Sequence, residues 1–101
     1  MKYTDLADIL PEVEKTRGVK FYKGCIVDEI NDILGDKIVD SYYTKNKSDE
    51  IVTVIEKNLF GEHIYQVIGY DREEDNIFGC GKSKSLDEIK DLLLKNPLLF
   101  L

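Results

Sequence analysis

Four short runs rich in β-branched and aromatic residues occupy the second half of the chain and constrain its fold more than any other feature. They span residues 37–44, 51–57, 63–70 and 77–81. Residues of these types favour strands, and the segments between the runs are polar or contain glycine, as hairpin loops do. Because short loops join neighbouring antiparallel strands, the sequence predicts a four-stranded antiparallel β-meander.

A helix is predicted directly after the last of these runs. Ser85 and Glu88 have the spacing of a capping box, in which each side chain satisfies a backbone N–H at the start of a helix. The following apolar residues recur at helical spacing and form a stripe of Leu86, Ile89, Leu92 and Leu93. Such a stripe predicts a helix packed on the sheet, and Pro97 is expected to end it.

The N-terminal segment predicts a first helix that begins after an N-cap at Thr4. Its apolar face is formed by Leu6, Ile9, Leu10 and Val13. Pro11 removes a backbone hydrogen bond and crowds the preceding turn. The sequence therefore predicts a break near Leu10, with helix on both sides of it and an end at Gly18.

A second helix is predicted over about residues 25–34. The apolar residues Ile26, Val27, Ile30, Ile33 and Leu34 fit one helical face. Gly35 follows at the position where a left-handed residue often ends a helix. Residues 19–27 also show a strand-like alternation, so strand and helix both remain open for this segment.

Together these elements predict an α+β fold with two N-terminal helices, a four-stranded antiparallel β-meander and a C-terminal helix packed on the sheet. The 101 residues are expected to form one compact domain, residues 1–101, because neither an internal repeat nor a linker interrupts them. The chain shows no signal-peptide pattern and no apolar run of about 20 residues. These features favour a cytoplasmic protein that does not contact a membrane.

The net charge of −6 narrows the classes of partner. Binding to nucleic acid or to an anionic membrane surface requires a basic patch, so both are disfavoured. An acidic surface favours encounter with a basic one. The charge therefore points to a protein partner with a basic surface.

Two segments resemble ligand-binding loops but lack residues that those loops require. Residues 79–83 contain Gly-Lys-Ser before a helix, yet Asn76 stands where a phosphate-binding loop needs glycine. Residues 71–76 carry alternating acids, but Asn76 and Lys82 replace the glycine and the glutamate of a calcium-binding EF-hand. A strand end and a charged hairpin turn are predicted at these positions.

Metal binding and catalysis are also disfavoured by the few cysteine and histidine residues. Cys25 and Cys80 are far apart and lack metal-ligand spacing, and buried free thiols are expected. His63 is the only histidine, and no motif places a nucleophile beside it. The sequence therefore predicts a protein without metal, cofactor or catalytic residues, with His63 beside a turn or at the sheet surface.

Four acidic residues are the first candidates for partner binding: Asp28, Glu29, Asp32 and Asp36. In a helix over residues 25–34, Asp28 and Asp32 are four positions apart, where like charges destabilise a helix. Negative charge in the middle or at the end of a helix gains nothing from the helix dipole. These residues are interpreted either as a solvated face or as a docking surface for a basic partner.

Tyr42 and Tyr43 are the other candidates for partner binding. Neighbouring residues of a strand point to opposite faces, so one of these rings is expected to be exposed unless both faces of the sheet are covered. Exposed tyrosines beside acids are typical of protein interfaces. Packing in the core is the alternative interpretation.

The favoured function is a non-enzymatic acidic protein that binds a macromolecular partner and inhibits or regulates it. In size and charge the chain resembles bacterial immunity proteins and phage-encoded inhibitors, a likeness that covers no motif. The alternative is an oligomeric domain that binds a small anionic ligand through Arg72, Lys82 and Lys84. The apolar segment 98–101 is expected either to fold back onto the domain or to form a homodimer contact.

Overall fold

Antiparallel strands that follow one another in sequence form a single sheet. A computed structural model describes residues 5–100, and within them every side chain except those of residues 35, 79, 80, 97 and 98. Over this range the strands are β1 Tyr22–Lys23, β2 Ile38–Lys45, β3 Ile51–Leu59, β4 Glu62–Asp71 and β5 Asn76–Ser83. Each pairs antiparallel with the next, so the fold is α+β with an antiparallel meander.

The predicted number of four strands is wrong, because a fifth strand is present among the described residues. Tyr22 and Lys23 pair with Tyr43 and Tyr42 and thereby form the short edge strand β1. The other four strands coincide with the predicted runs to within two residues at nearly every end. Their content of β-branched and aromatic residues was sufficient to locate them, because such residues favour strands.

Three α-helices accompany the sheet in the described range: α1 Leu6–Arg17, α2 Asp28–Leu34 and α3 Leu86–Lys95. The prediction of two N-terminal helices before the sheet is wrong, since only α1 precedes it. The helix α2 lies between β1 and β2 and begins three residues later than predicted. Before α2, Tyr22 and Lys23 are extended because they pair with β2.

The predicted break near Leu10 is also wrong, because α1 is continuous with Pro11 inside it. Leu6, Ile9, Leu10 and Val13 are all buried on one side. A continuous helix keeps these side chains on one face, and their burial outweighs the hydrogen bond that proline removes. The predicted cap, Thr4, lies outside the described residues, and the observed N-cap is Asp5.

The two faces of the sheet are covered unequally. On one face α1 and α3 pack over a large apolar cluster that includes Val52, Val54 and Val67. On the other face α2 covers a smaller cluster that includes Ile51, Ile55 and Ile68. A seven-residue helix is about 10 Å long. Five strands at the usual spacing are about 19 Å wide, so α2 leaves part of its face uncovered.

The C-terminal helix begins as its capping box predicts. The Ser85 side chain accepts a hydrogen bond from the Glu88 N–H at 3.5 Å. The Glu88 carboxylate accepts from Ser83 Oγ at 2.6 Å instead of reaching back to the cap. Ser83 Oγ in turn accepts from the Ser85 N–H at 3.0 Å, so the second backbone donor is satisfied through an additional serine.

The end of the described chain folds back onto the rest of the fold, which is the first of the two expectations for the apolar segment 98–101. Residues Pro97–Phe100 form a 3-10 turn, and Leu99 and Phe100 are buried in the large cluster. Asn46 Nδ2 donates a hydrogen bond to the Leu99 carbonyl oxygen at 2.9 Å. The Leu98 side chain and Leu101 lie outside the description. The homodimer stays a prediction, and the buried Leu99 and Phe100 side chains provide no free surface for it.

Candidate functional site

All four acidic residues proposed for partner binding lie on α2 or in the turn just after it. Asp28 and Asp32 are exposed on the helix, Glu29 is half-buried, and Asp36 is exposed in the following 3-10 turn. Some carboxylates elsewhere, such as Asp49 and Glu62, form ion pairs with lysine or arginine. Over residues 5–100, no such ion pair involves the four acidic residues of α2 and the turn after it. Together, Asp28, Glu29, Asp32 and Asp36 are called the α2 acidic surface below.

Helix stability accounts for two of these acids, contrary to the expectation from sequence. Because α2 starts at Asp28, Asp28 and Glu29 lie in its first turn, where the helix dipole favours negative charge. Their position near the helix start is therefore sufficient to account for these two. Asp32 lies four residues after Asp28 and Asp36 lies beyond the helix, so the dipole favours neither.

The two tyrosines are on opposite sides of the sheet, as the alternation predicts. Tyr42 packs against the large cluster, and burial together with the carboxylate of Asp40 raises its pKa. Tyr43 packs against the smaller cluster on the α2 side. Its ring lies 5.7 Å from that of Tyr22, centroid to centroid. Both tyrosines are half-buried. Tyr43 lies on the sheet face that α2 covers, and Tyr42 lies on the opposite face. Only Tyr43 of the two therefore shares a sheet face with the α2 acidic surface.

Two large apolar side chains are exposed without a packing role that explains them. Ile33, on α2, is 71% exposed. Phe60 is 95% exposed at the tip of the β3–β4 hairpin. Its backbone φ of 54° is in the left-handed region, which disfavours a bulky residue. The sequence placed Ile33 on the apolar face of the second helix, and its exposure differs from that expectation. It did not single out Phe60, because exposure at a hairpin tip depends on the tertiary fold.

A half-open groove lies where α2 leaves its sheet face uncovered. Its volume is about 250 Å³. Its apolar lining is formed by Ile30, Ile33, Leu34, Ile68 and Ile77. Its polar lining residues are Lys57 and Gln66, from neighbouring strands. Lys57 Nζ donates a hydrogen bond to Gln66 Oε1 at 2.9 Å.

Lys57 is 8% exposed, which is unusual for a lysine. Burial lowers the pKa of its ammonium group, and the positive charges of Lys82 and Lys37 lower it further. Sequence reasoning missed this residue. The signal was its place in the alternation Ile51, Thr53, Ile55, Lys57, which directs it to the same face as three buried side chains.

The basic residues proposed for an anionic ligand are separated by the fold. Arg72 forms an ion pair with Asp49 at 2.8 Å, and Lys84 forms one with Glu62 at 3.0 Å. Lys82 is paired across the sheet with Gln66, which lines the groove. Of these three basic residues, Lys82 is therefore the one that lies beside the groove lined by Lys57 and Gln66.

His63 is exposed at the start of β4, in agreement with the sheet-surface prediction. Its Nδ1 lies 3.9 Å from Glu56 Oε2. Glu56 is also one cause, after burial, of the raised pKa of Tyr65. Contact between an exposed histidine and a half-buried glutamate does not by itself define a reaction.

The remaining candidate motifs are explained by local structure. Residues 81–83 belong to β5, and residues 71–76 contain the β4–β5 turn. Cys25 is a free thiol but is only half-buried, and the side chain of Cys80 lies outside the description. No group of three or more potential metal ligands occurs in the described part of the chain. None of the helices within residues 5–100 has the length and apolar character needed to cross a membrane.

Comparisons with protein-family models, with curated proteins and with solved structures find no match to this chain. The function is therefore argued from the surface and the groove themselves.

Proposed function

We propose that this protein is a non-enzymatic module that binds a protein partner with a basic surface and thereby inhibits or regulates it. The observation that carries the proposal is the α2 acidic surface, whose carboxylates have no ion-pair partner within the described residues. Exposed Ile33 lies on the same helix. Charge together with an apolar contact is a combination suited to a protein interface.

Electrostatic attraction of this kind acts mainly on the rate of association. Exposed charges accelerate encounter with an oppositely charged surface, and salt screens the effect over about 10 Å at 0.1 M. The apolar side chains contribute after encounter, because they lose contact with water in the complex. Partner binding should consequently be fast at low salt and slower as salt rises.

The first test combines salt with a matched pair of double variants. A tagged protein identifies the partner by capture and mass spectrometry, and association rates are then measured at several salt concentrations. Asp32→Asn with Asp36→Asn should slow association about tenfold at low salt. Neither change removes a charge favoured by the helix dipole, so the fold is expected to persist.

The control for this test is Glu73→Gln with Glu74→Gln in the exposed β4–β5 turn. It changes the net charge by the same amount but leaves the α2 acidic surface intact. Its association rate should remain close to that of the unmodified protein. Equal slowing by both double variants, or binding insensitive to salt, would contradict the proposed role of the α2 acidic surface.

Phe60 provides a second test, in which stability and binding should change in opposite directions. Leu59 pairs with Glu62, so Phe60 and Gly61 form a two-residue hairpin turn with φ values of 54° and 82°. Asparagine is favoured at the first position of such a turn. Phe60→Asn should therefore raise the free energy of unfolding by about 1 kcal/mol, measured by urea denaturation.

The same substitution should weaken partner binding about tenfold if the exposed ring is an interface contact. A gain in stability with unchanged affinity would remove Phe60 from the interface while leaving the α2 acidic surface to be judged by its own test. A loss of stability would contradict the turn assignment on which this prediction rests.

A further inference from the structure

We infer that the groove beside α2 binds a small amphiphilic carboxylate, with Lys57 contacting the carboxylate group and the isoleucine-rich walls contacting the apolar chain. This inference is independent of the proposed protein partner. It uses the flank of α2 that faces the uncovered part of the sheet, whereas the partner is proposed to meet the outward acids of the helix. Ile33 borders both surfaces, and the charged contact of the groove is Lys57, not an acid of α2.

The charge of the groove favours an anion. The described contact of the Lys57 ammonium group is with Gln66 Oε1, a neutral acceptor. No ion pair involving Lys57, Lys37 or Lys82 occurs within residues 5–100. The Lys57 side chain lines the groove, and an ammonium group forms a stronger, charge-assisted hydrogen bond with a carboxylate than with a neutral acceptor. A ligand carboxylate would supply the missing charge.

The walls of the groove favour a ligand with an apolar chain. All the lining residues other than Lys57 and Gln66 are isoleucine or leucine. Ile33 and Ile77 remain substantially exposed at the open side, and a chain lying between them would cover apolar surface that now contacts water. An inorganic anion would interact with Lys57 but would leave these walls solvated.

The size of the groove limits the length of that chain. At roughly 30 Å³ for each water-sized group, a volume of about 250 Å³ holds about eight such groups. An eight-carbon monocarboxylate such as octanoate is therefore a suitable probe. A ligand of this size should bind with a dissociation constant of about 1 mM.

The test is a titration of the 101-residue chain with octanoate, octylammonium, 1-octanol and inorganic phosphate, followed by amide chemical shifts in NMR. Octanoate should shift the amides of Gln66, Ile68 and Ile77 in a saturable way. Octylammonium has the same chain with the opposite charge and should bind at least tenfold more weakly. Phosphate should produce no saturable shift of these amides.

The matched variants separate the charge contact from the apolar walls. Lys57→Met retains an unbranched side chain and should weaken octanoate binding at least tenfold while leaving 1-octanol binding unchanged or stronger. Ile33→Ser changes an exposed wall residue, so it should preserve the fold and weaken octanoate and 1-octanol alike. Lys47→Met, in the exposed β2–β3 loop, should leave binding unchanged.

Three results would overturn the inference. They are absence of saturable shifts with octanoate up to about 10 mM, equal binding of octanoate and octylammonium, or unchanged octanoate binding by Lys57→Met. If Lys57→Met does not fold, the comparison of octanoate with octylammonium on the unmodified protein, together with Ile33→Ser, still decides the question. None of these outcomes affects the tests of the α2 acidic surface.

Discussion

Replacing Asn46 with alanine is expected to lower the free energy of unfolding by about 3 kcal/mol. Asn46 is 7% exposed and its side chain makes four hydrogen bonds. Its Oδ1 accepts from the N–H groups of Ser48 and Glu50 at 3.0 and 2.9 Å. Its Nδ2 donates to Glu50 Oε1 and to the Leu99 carbonyl oxygen, both at 2.9 Å.

The size of this effect follows from the number of groups that would lose a partner together. Alanine fills neither the donor nor the acceptor positions, and each buried polar group left unpaired costs about 1–3 kcal/mol. The bond to Leu99 also joins the β2–β3 loop to the C-terminal turn. Urea denaturation followed by circular dichroism measures the change.

Two variants separate this network from a general effect of altering the loop. Lys47→Ala changes the exposed neighbouring residue and should alter stability by less than about 0.5 kcal/mol. Asn46→Asp retains an oxygen that accepts from the loop N–H groups but loses the donor to both Glu50 and Leu99 and places a carboxylate beside that of Glu50, so a loss no smaller than that of Asn46→Ala is expected. A loss below about 1 kcal/mol for Asn46→Ala would show that water replaces these contacts.

The parts of the fold that the sequence predicts are those set by local periodicity and capping. β2 to β5 follow the β-rich runs, and Ser85 caps α3. β1 lies within residues 19–27, where strand and helix both remained open, and its two residues are extended because they pair with Tyr42 and Tyr43. The error at Pro11 has a similar origin, since burial of a helix face outweighed a local rule.

The candidate site was less predictable, because its features depend on where elements end and what covers them. An error of three residues in the start of α2 reversed the electrostatic interpretation of Asp28 and Glu29, which lie in its first turn. The α2 acidic surface was otherwise readable from the sequence, since Asp32 and Asp36 are exposed. The groove could not be predicted from the sequence, because it exists only where a short helix leaves a sheet face uncovered.

The unequal covering of the two sheet faces gives them different parts in these proposals. The face under α1 and α3 contains the large apolar cluster and is interpreted as scaffold. The opposite face has α2, which presents acids outward and lines the groove with Ile30, Ile33 and Leu34. Both proposed sites therefore depend on the position of one short helix, and Ile33 borders both of them.

Gly69→Ala is the second substitution for which a large effect is expected, a loss of about 3 kcal/mol in the free energy of unfolding. Gly69 is buried in β4 and pairs with Phe78 of β5. A Cβ at this position would lie 2.1 Å from Phe78 Cε2 and 2.2 Å from Cζ. The ring occupies the space that any side chain at residue 69 would need, so one of the two must move.

Movement of the ring would withdraw aromatic surface from the β4–β5 pair, and movement of the backbone would disturb the strand pairing at Ile68, beside the groove. A double-mutant cycle identifies the cause of the loss. In a Phe78→Ala background the same glycine substitution should cost less than about 1 kcal/mol, because the obstructing ring is gone. An equal loss in both backgrounds would show that the backbone of Gly69, and not the Phe78 ring, excludes a side chain there.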